Sequence, residues 1–194
     1  MKKHLFLTLI VFCCMSQLNA QNNEIRANIG LVTTADVGSF FGDLIINAIT
    51  IGGYTTDNST SIGAWGAEYW YFKTDRLKIG GLVSLQTIDK EVFFTGNKAG
   101  DITDNYYTIL PQLSYEYIQA GWLRLYSGVG LGITIWEQNL KSSDPKLSGA
   151  KASDLMFNFH VNAIGARVGN AFGASLELGF GAKGILNAGL SYRF

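Results

Sequence analysis

Apolar and polar residues alternate with period two along most of the chain, and this pattern predicts β-strands. Each alternating segment is about ten residues long or slightly longer, which is the length of a tilted strand that crosses a membrane. The predicted strands, in chain order, are Glu24 to Thr34, Ser61 to Tyr71, Leu77 to Ile88, Tyr106 to Ile118, Trp122 to Trp136, Leu155 to Val168, Phe172 to Gly181 and Ile185 to Phe194. The sequence therefore predicts an all-β fold with an even number of strands, eight.

The connections between these strands are of two kinds. Those at residues 73 to 75, 119 to 121 and 169 to 171 are tight, whereas those at 35 to 60, 89 to 105 and 137 to 154 are long. These six connections alternate strictly, as in an antiparallel up-and-down barrel, and a short loop at residues 182 to 184 precedes the closing strand. Outer-membrane barrels have short periplasmic turns and longer extracellular loops, so both termini are expected to be periplasmic.

One face of the strands is apolar and the other is polar. The polar face carries the charged and ionisable residues Arg26, Glu68, Lys78, Glu116, Arg124, His160, Glu177 and Arg193. It also carries the glycines Gly30, Gly66, Gly80, Gly128, Gly130, Gly132, Gly173, Gly179 and Gly189. Alternation alone does not say which face is outside, because a soluble barrel would turn its apolar face inward.

Three features favour an apolar outside. The glycines suit a narrow eight-stranded lumen that side chains can fill. Strands facing water would carry more Lys and Glu. Aromatic residues also cluster on the apolar face near the predicted periplasmic ends, as in an interfacial girdle. These residues are Tyr69, Tyr71, Tyr115, Tyr117, Tyr192 and Phe194.

The charges of the polar face are expected to pair inside the lumen and to close it. Reflection through the predicted turns places Glu68 opposite Lys78 and Glu116 close to Arg124, with Glu24 at the rim. Buried charges need partners, which favours this lumen network. The alternative is that some of these groups lie in interfacial water and pair loosely.

Two segments do not fit the simple strand pattern. Pro111 lies inside a predicted strand, and its missing N–H predicts a bulge there. The stretch Ser39 to Ile51 is too apolar for an exposed loop. We expect Ser39 to cap a short helix that starts at Phe40, within the first extracellular loop.

Residues 1–20 have the layout of a secretory signal peptide, with Lys2 and Lys3 before an apolar run, and residues 21–194 form the predicted barrel domain. Cys13 and Cys14 both lie in this leader, so no disulfide or thiolate metal site is expected afterwards. Charged residues are 15% of the chain and apolar residues 47%. No later segment has the pattern of a membrane helix, so a bilayer would be crossed by strands in a closed barrel. Nothing in the charge pattern indicates nucleic acid.

The C-terminal segment resembles the terminal assembly signal of outer-membrane proteins, through Asn187, Gly189, Tyr192 and Phe194. In that family the barrel-assembly machinery reads this segment, by strand addition. The chain from residue 24 onward resembles the small OmpX-, OmpA- and OmpW-like porin-family barrels. The resemblance implies the outer membrane of a bacterium with a two-membrane envelope, and lipids, lipopolysaccharide and periplasmic chaperones as partners.

The sequence offers little chemistry for catalysis, and no enzyme activity, cofactor or metal site is expected. His160 is the only histidine after the leader, and Asn162 stands where the His-x-Ser pair of lipid A deacylases has its nucleophile. Glu177 is expected about 10 Å from registry with His160 along the neighbouring strand. The predicted function is an integral outer-membrane barrel with a filled lumen and a structural or surface-interaction role through its loops. The alternatives are a narrow conduit for small apolar solutes, with residues 40–51 as a lid, and a lipid A-modifying enzyme centred on His160.

Overall fold

The computed structural model describes residues 22–40, 54–94, 97–142 and 151–194. The predicted signal peptide and residues 41–51 of the predicted helical segment lie outside these described residues. The strands are β1 (Asn23–Leu31), β2 (Tyr54–Ser61), β3 (Ala64–Phe72), β4 (Leu77–Phe94), β5 (Asn97–Ala120), β6 (Leu123–Ser142), β7 (Lys151–Gly169), β8 (Phe172–Gly181) and β9 (Leu186–Arg193).

Eight of these strands close in a ring in which every neighbouring pair is antiparallel. Neighbours around the ring follow chain order, so the sheet is up-and-down. The ring closes between the first and last strands, where Glu24 lies opposite Arg193 and Leu31 opposite Leu186. The predicted all-β class, the antiparallel order and the closing pair are confirmed.

The ninth strand, β2, lies end to end with β3 along the same side of β4. β2 pairs with the far part of β4, from Ser61 opposite Ile88 outward, while β3 pairs with the near part. Gly63 separates the two strands with a φ of 84°, a conformation that glycine adopts without strain. The prediction of a loop throughout residues 35–60 was wrong, because β2 is polar at consecutive positions and shows no alternation.

The predicted long connection at residues 89–105 was also wrong. β4 and β5 continue as one hairpin ladder, from Leu77 opposite Tyr115 to Phe94 opposite Asn97. β6 and β7 likewise extend to Ser142 and Lys151. The parts of β4 to β7 that extend beyond the predicted strands, which we call the outer parts, carry polar residues on both faces. The period-two signal therefore disappears there, although backbone pairing does not depend on it.

No bulge forms at Pro111. The β5–β6 register is the same on both sides of it, with Ile109 opposite Ile133 and Gln112 opposite Gly130. The bridges to β6 are interrupted at Leu110 and Pro111, whereas both residues pair with β4. The missing N–H therefore costs local pairing on one side of the strand, and no extra residue is inserted.

A helix, α1, occupies residues 34–40 and crosses one end of the ring. Thr33 caps it, because the Asp36 N–H donates to Thr33 Oγ1 at 3.2 Å and Asp36 Oδ2 accepts from the Thr33 N–H at 2.7 Å. The predicted cap at Ser39 and start at Phe40 were wrong, since both residues lie inside α1. Gln86 on β4 donates to Asp36 and Thr34 donates to Asn158 on β7, which fixes α1 across the opening. Among the described residues, no helix is long and apolar enough to cross a membrane.

The two faces of the ring are arranged with the apolar side outward, as predicted. Leu131 is 61% exposed on the outside, whereas the charged residues of the opposite face, apart from Arg124, are buried. A Cβ added at any of the nine glycines of the polar face would lie within 3.0 Å of another atom. At Gly66, Gly130 and Gly173 the nearest atom belongs to an interior side chain, whereas at Gly132 and Gly179 it is a backbone oxygen of the neighbouring strand.

Candidate functional site

Nine charged side chains are packed inside the ring, and we call them the interior ion network. They are Glu24, Arg26, Glu68, Lys78, Glu116, Arg167, Glu177, Lys183 and Arg193. Each residue is less than a tenth exposed. A buried ion without a partner is strongly unfavourable, so the contacts among these groups determine whether the interior is stable.

Arg26 lies at the centre of the network. Its Nη2 is 2.8 Å from Glu24 Oε1, and its Nη1 is 3.6 Å from Glu68 Oε2 and also contacts Glu177 Oε1. The same Nη1 donates to the hydroxyl of Tyr126 at 2.9 Å, and that hydroxyl donates to Glu177 at 2.7 Å. One guanidinium thus links β1, β3, β6 and β8 across the interior.

Lys183 brings a second cation to the same carboxylates from the turn between β8 and β9. Its Nζ lies 2.6 Å from Glu68 Oε1 and also contacts Glu177 Oε2. Glu68 additionally accepts from Asn28 at 2.8 Å and from the indole of Trp70 at 2.7 Å. Both carboxylates therefore have several donors, as buried carboxylates require.

Glu116 is the centre of a second group of contacts. Its carboxylate lies 3.2 Å from Lys78 Nζ, 2.7 Å from Arg193 Nη2 and 3.6 Å from Arg124 Nη1. The Lys78 ammonium also lies 4.5 Å from the centre of the Tyr126 ring, in a cation–π arrangement. Tyr126 therefore contacts both parts of the network.

The end of the ring with the short turns is closed by two arginines. Arg193 Nε donates to Glu24 Oε2 at 2.7 Å. Arg167 donates to Ser191 Oγ at 2.8 Å and to the carbonyls of Gly169 and Asn170 at 3.1 and 3.0 Å. These contacts tie the β7–β8 turn to the last strand.

The structure brings most of the predicted lumen residues together. Arg26, Glu68, Lys78, Glu116, His160, Glu177 and Arg193 are buried, whereas the Arg124 side chain is 28% exposed. Asn187 is buried beside them, and Tyr192 and Phe194 of the same terminal segment lie on the outer face with their rings stacked. Gly189 lies opposite Asn28 on β1.

The pairing prediction was correct for one of the two hairpins. Glu116 lies near Arg124, but Glu68 and Lys78 do not lie opposite each other. The β3–β4 register places Glu68 opposite Leu82 and Lys78 opposite Phe72, so the hairpin is centred at residue 75, whereas opposition of Glu68 and Lys78 would need a centre at residue 73. Glu24, which was expected at the rim, is fully buried.

Sequence reasoning missed Arg167, Lys183 and Tyr126. The β6–β7 and β7–β8 registers shift just before Ile164, so the inward positions of β7 change from even to odd numbers and Arg167 turns inward. Lys183 occupies a short turn, where a lysine is ordinarily solvated. Tyr126 follows the alternation of β6, and its inward position could have been read from it.

His160 is buried and contacts the turn between β8 and β9. Its Nδ1 accepts from the Lys183 N–H at 3.4 Å, and its Nε2 has no hydrogen-bond partner among the described residues. Gly181 lies opposite His160 on β8, and Glu177 lies opposite Gly165. A nucleophile–base pair needs a hydroxyl or thiol within hydrogen-bond reach of the imidazole.

Comparison of the chain with protein-family models and with curated proteins found no match. The fold therefore defines an architecture and no family. The chain is all-β, and its antiparallel sheet closes in a ring of eight strands. Charged side chains fill its interior, and a band of its exterior is apolar.

Proposed function

We propose that the chain is an integral outer-membrane β-barrel with a filled interior, and that it acts as a structural or surface-interaction protein of the cell envelope. The observation that carries this proposal is the inverted distribution of residues. Charged side chains fill the inside of the ring. Large apolar side chains such as Leu131, Val83 and Leu176 are half or more exposed on the outside. Water would not stabilise such an outer surface, whereas lipid would.

The height of the apolar band agrees with a bilayer. On β6 the outward positions are apolar, apart from Ser127, from Leu123 to Ile135, and Glu137 follows. Twelve residues at about 3.3 Å each span about 40 Å along the strand. At a tilt of about 40° this gives roughly 30 Å along the axis, near the roughly 25 Å band of outer-membrane barrels.

Aromatic side chains border this band at the end with the short turns. Tyr69, Tyr71 and Tyr115 are each about half exposed, and Trp122 and Phe172 are more exposed still. Amphipathic rings at this height suit the interface between headgroups and hydrocarbon. This end is proposed to face the periplasm, together with both termini.

The surface-interaction role is assigned to the outer parts of β4 to β7 and to β2. Above Leu85 and Ile135, outward positions become polar or charged, as at Asp89, Asp101 and Glu137. On the exposed side, Lys98 pairs with Glu91 and with Asp101 at 2.7 Å each. Extended strands, in place of the long loops expected from the sequence, would thus present the extracellular surface.

The two alternative functions gain less support. A conduit through the whole barrel would have to pass the interior ion network, whose groups contact one another across the lumen. A lipid A-modifying enzyme centred on His160 would need a nucleophile beside its imidazole. Lipids and lipopolysaccharide around the barrel, and the assembly machinery and chaperones during biogenesis, are its proposed partners.

A single outward substitution tests the membrane proposal. Leu131→Arg puts a charge in the middle of the apolar band, and Glu137→Arg puts the same residue on the same strand above the band. We expect Leu131→Arg to reduce the free energy of unfolding by about 2–4 kcal/mol in lipid vesicles and to lower recovery in the outer membrane. Glu137→Arg should behave as the unaltered protein. Recovery of the unaltered protein in the soluble periplasm, or greater solubility of Leu131→Arg with full stability, would contradict the proposal.

A further inference from the structure

A cavity of about 580 Å³ lies between α1 and the outer parts of β5, β6 and β7. Its volume falls within the range of roughly 300–1,000 Å³ that is usual for small-molecule sites. No residue of the interior ion network lines it. The cavity is therefore distinct from the packed part of the interior.

The lining of the cavity has an apolar side and a polar side. Trp136, Met156, Phe157 and Phe159 form the apolar side, whereas Thr34, Ser39 and Asn158 belong to the polar side. The charges in the lining are paired, since Lys90 Nζ lies 3.4 Å from Asp104 Oδ2. The same carboxylate accepts from Trp136 Nε1 and Gln138 Nε2 at 3.0 and 2.9 Å. The cavity thus presents no uncompensated ion to a ligand.

Ser39 provides an independent indication of a polar ligand group. The residue lines the cavity and is 7% exposed, and its Oγ has no hydrogen-bond partner among the described residues. Buried hydroxyls are nearly always hydrogen-bonded, because an unsatisfied one is unfavourable. A ligand oxygen or nitrogen at this point would satisfy it.

The cavity reaches the outer apolar face beside β7. β8 ends at Gly181, opposite His160, while β7 continues to Lys151. Within the described residues, β7 from 151 to 158 is paired with β6 alone. Phe157, which is 71% exposed, and Phe159 belong both to the cavity wall and to the outer face.

We propose that this cavity binds an amphiphile with a single acyl chain next to an uncharged, hydrogen-bonding head. The head lies at Ser39, and the chain follows Trp136 and Met156 to the outer face at Phe157. The contact of the acyl chain with membrane lipid at the outer face rests on the proposed membrane location of the protein. The acyl chain could come from a free monoacyl amphiphile or from one chain of a membrane lipid, and the experiment below separates these sources.

Fluorescence quenching in phospholipid nanodiscs tests this site. Trp65→Phe and Trp122→Phe together remove two tryptophans of the outer face and leave Trp70 and Trp136. The added probe is a monoacylglycerol that is brominated near the end of its chain. We expect saturable quenching of the Trp136 emission at one probe per protein. In the second arm the disc phospholipid itself is brominated, and quenching without added probe that Gly38→Leu abolishes would assign the site to a phospholipid chain and overturn the uncharged head.

Two further substitutions locate the bound probe. An added Cβ at Gly38 would meet no atom within 4 Å, so a side chain can start there, and Gly38→Leu should occupy part of the cavity and abolish the quenching in either arm. Gly81→Leu, which adds the same side chain on the outer face, is its control. Ser39→Ala should weaken binding about fivefold, the contribution of one neutral hydrogen bond, and should not weaken folding.

Different experimental results would contradict different parts of the proposal. Equal saturable quenching by a brominated fatty acid anion would overturn the uncharged head. Quenching that survives Gly38→Leu, or that never saturates in protein inserted in discs, would overturn the site and leave the barrel proposal standing. Failure of the protein to insert into discs would contradict the proposed function, and the lipid outlet would fall with it.

Discussion

The guanidinium of Arg26 lies 2.8 Å from the carboxylate of Glu24, two positions away on the same strand. Both side chains point into the ring and both are fully buried. In a strand, residues two apart lie on one face, so the local sequence places both side chains on the same side of β1. The remaining contacts of Arg26, with Glu68 and Glu177, depend on closure of the ring and join distant strands.

Arg26→Met should be strongly destabilising. The substitution leaves Glu177 and Glu24 with fewer cationic partners in a buried site, and breaking such a pair typically costs about 3–5 kcal/mol. Urea unfolding from lipid vesicles, followed by tryptophan fluorescence, measures the free energy of unfolding. Arg76→Met is the matched control, because Arg76 is exposed and should change stability little. Equal effects of the two substitutions would show that the network does not stabilise the fold.

Lys183→Met tests whether a turn residue is part of the interior. Its ammonium contacts Glu68 and Glu177 and is nearly fully buried, so its loss should destabilise by about 3 kcal/mol or more. Lys73→Met, in the exposed turn between β3 and β4, should have little effect in the same unfolding measurement. If Lys183→Met left the free energy of unfolding unchanged, the Lys183 ammonium would have to lie in water and not in the interior.

Gly165→Ala tests how tightly the interior is packed. A Cβ at this position would lie 2.5 Å from the ring of Tyr126, which is itself held by Arg26 and Glu177. Overpacking of this kind typically costs about 1–3 kcal/mol. Gly81→Ala is the control, because its nearest neighbour would be 3.9 Å away. The prediction fails if both variants unfold at the same urea concentration.

The period-two pattern was sufficient to predict the parts of the chain in which the outward face is apolar and the inward face is polar. It predicted the closing of β9 on β1 and the inward side of Arg26, Glu116 and Glu177. It failed where both faces are polar, so that β2 and the outer hairpin of β4 and β5 were taken for loops. It also failed beyond the register shift before Ile164, since one extra residue exchanges the faces of a strand. The position of Arg167 could not be found without that shift.

The interior ion network should make the protein a poor conductor of ions. The unaltered protein in a planar bilayer is expected to show no steady conductance, because Arg26, Tyr126 and Glu177 meet across the lumen. The double substitution Arg26→Ser and Glu177→Ser removes one charge of each sign from the centre. Glu24 then retains Arg193 at 2.7 Å and Glu68 retains Lys183 at 2.6 Å, so no carboxylate is left alone.

We expect this double variant to conduct measurably if it remains folded, which its gel migration before and after heating reports. The matched control removes an exposed pair of the same signs, Lys98→Ser with Asp101→Ser, and should stay closed. Steady channels in the unaltered protein, equal in size to those of the double variant, would contradict a filled lumen and favour the conduit. Conductance in the control alone would place the restriction in the outer strands, because Lys98 and Asp101 lie on β5 above the apolar band.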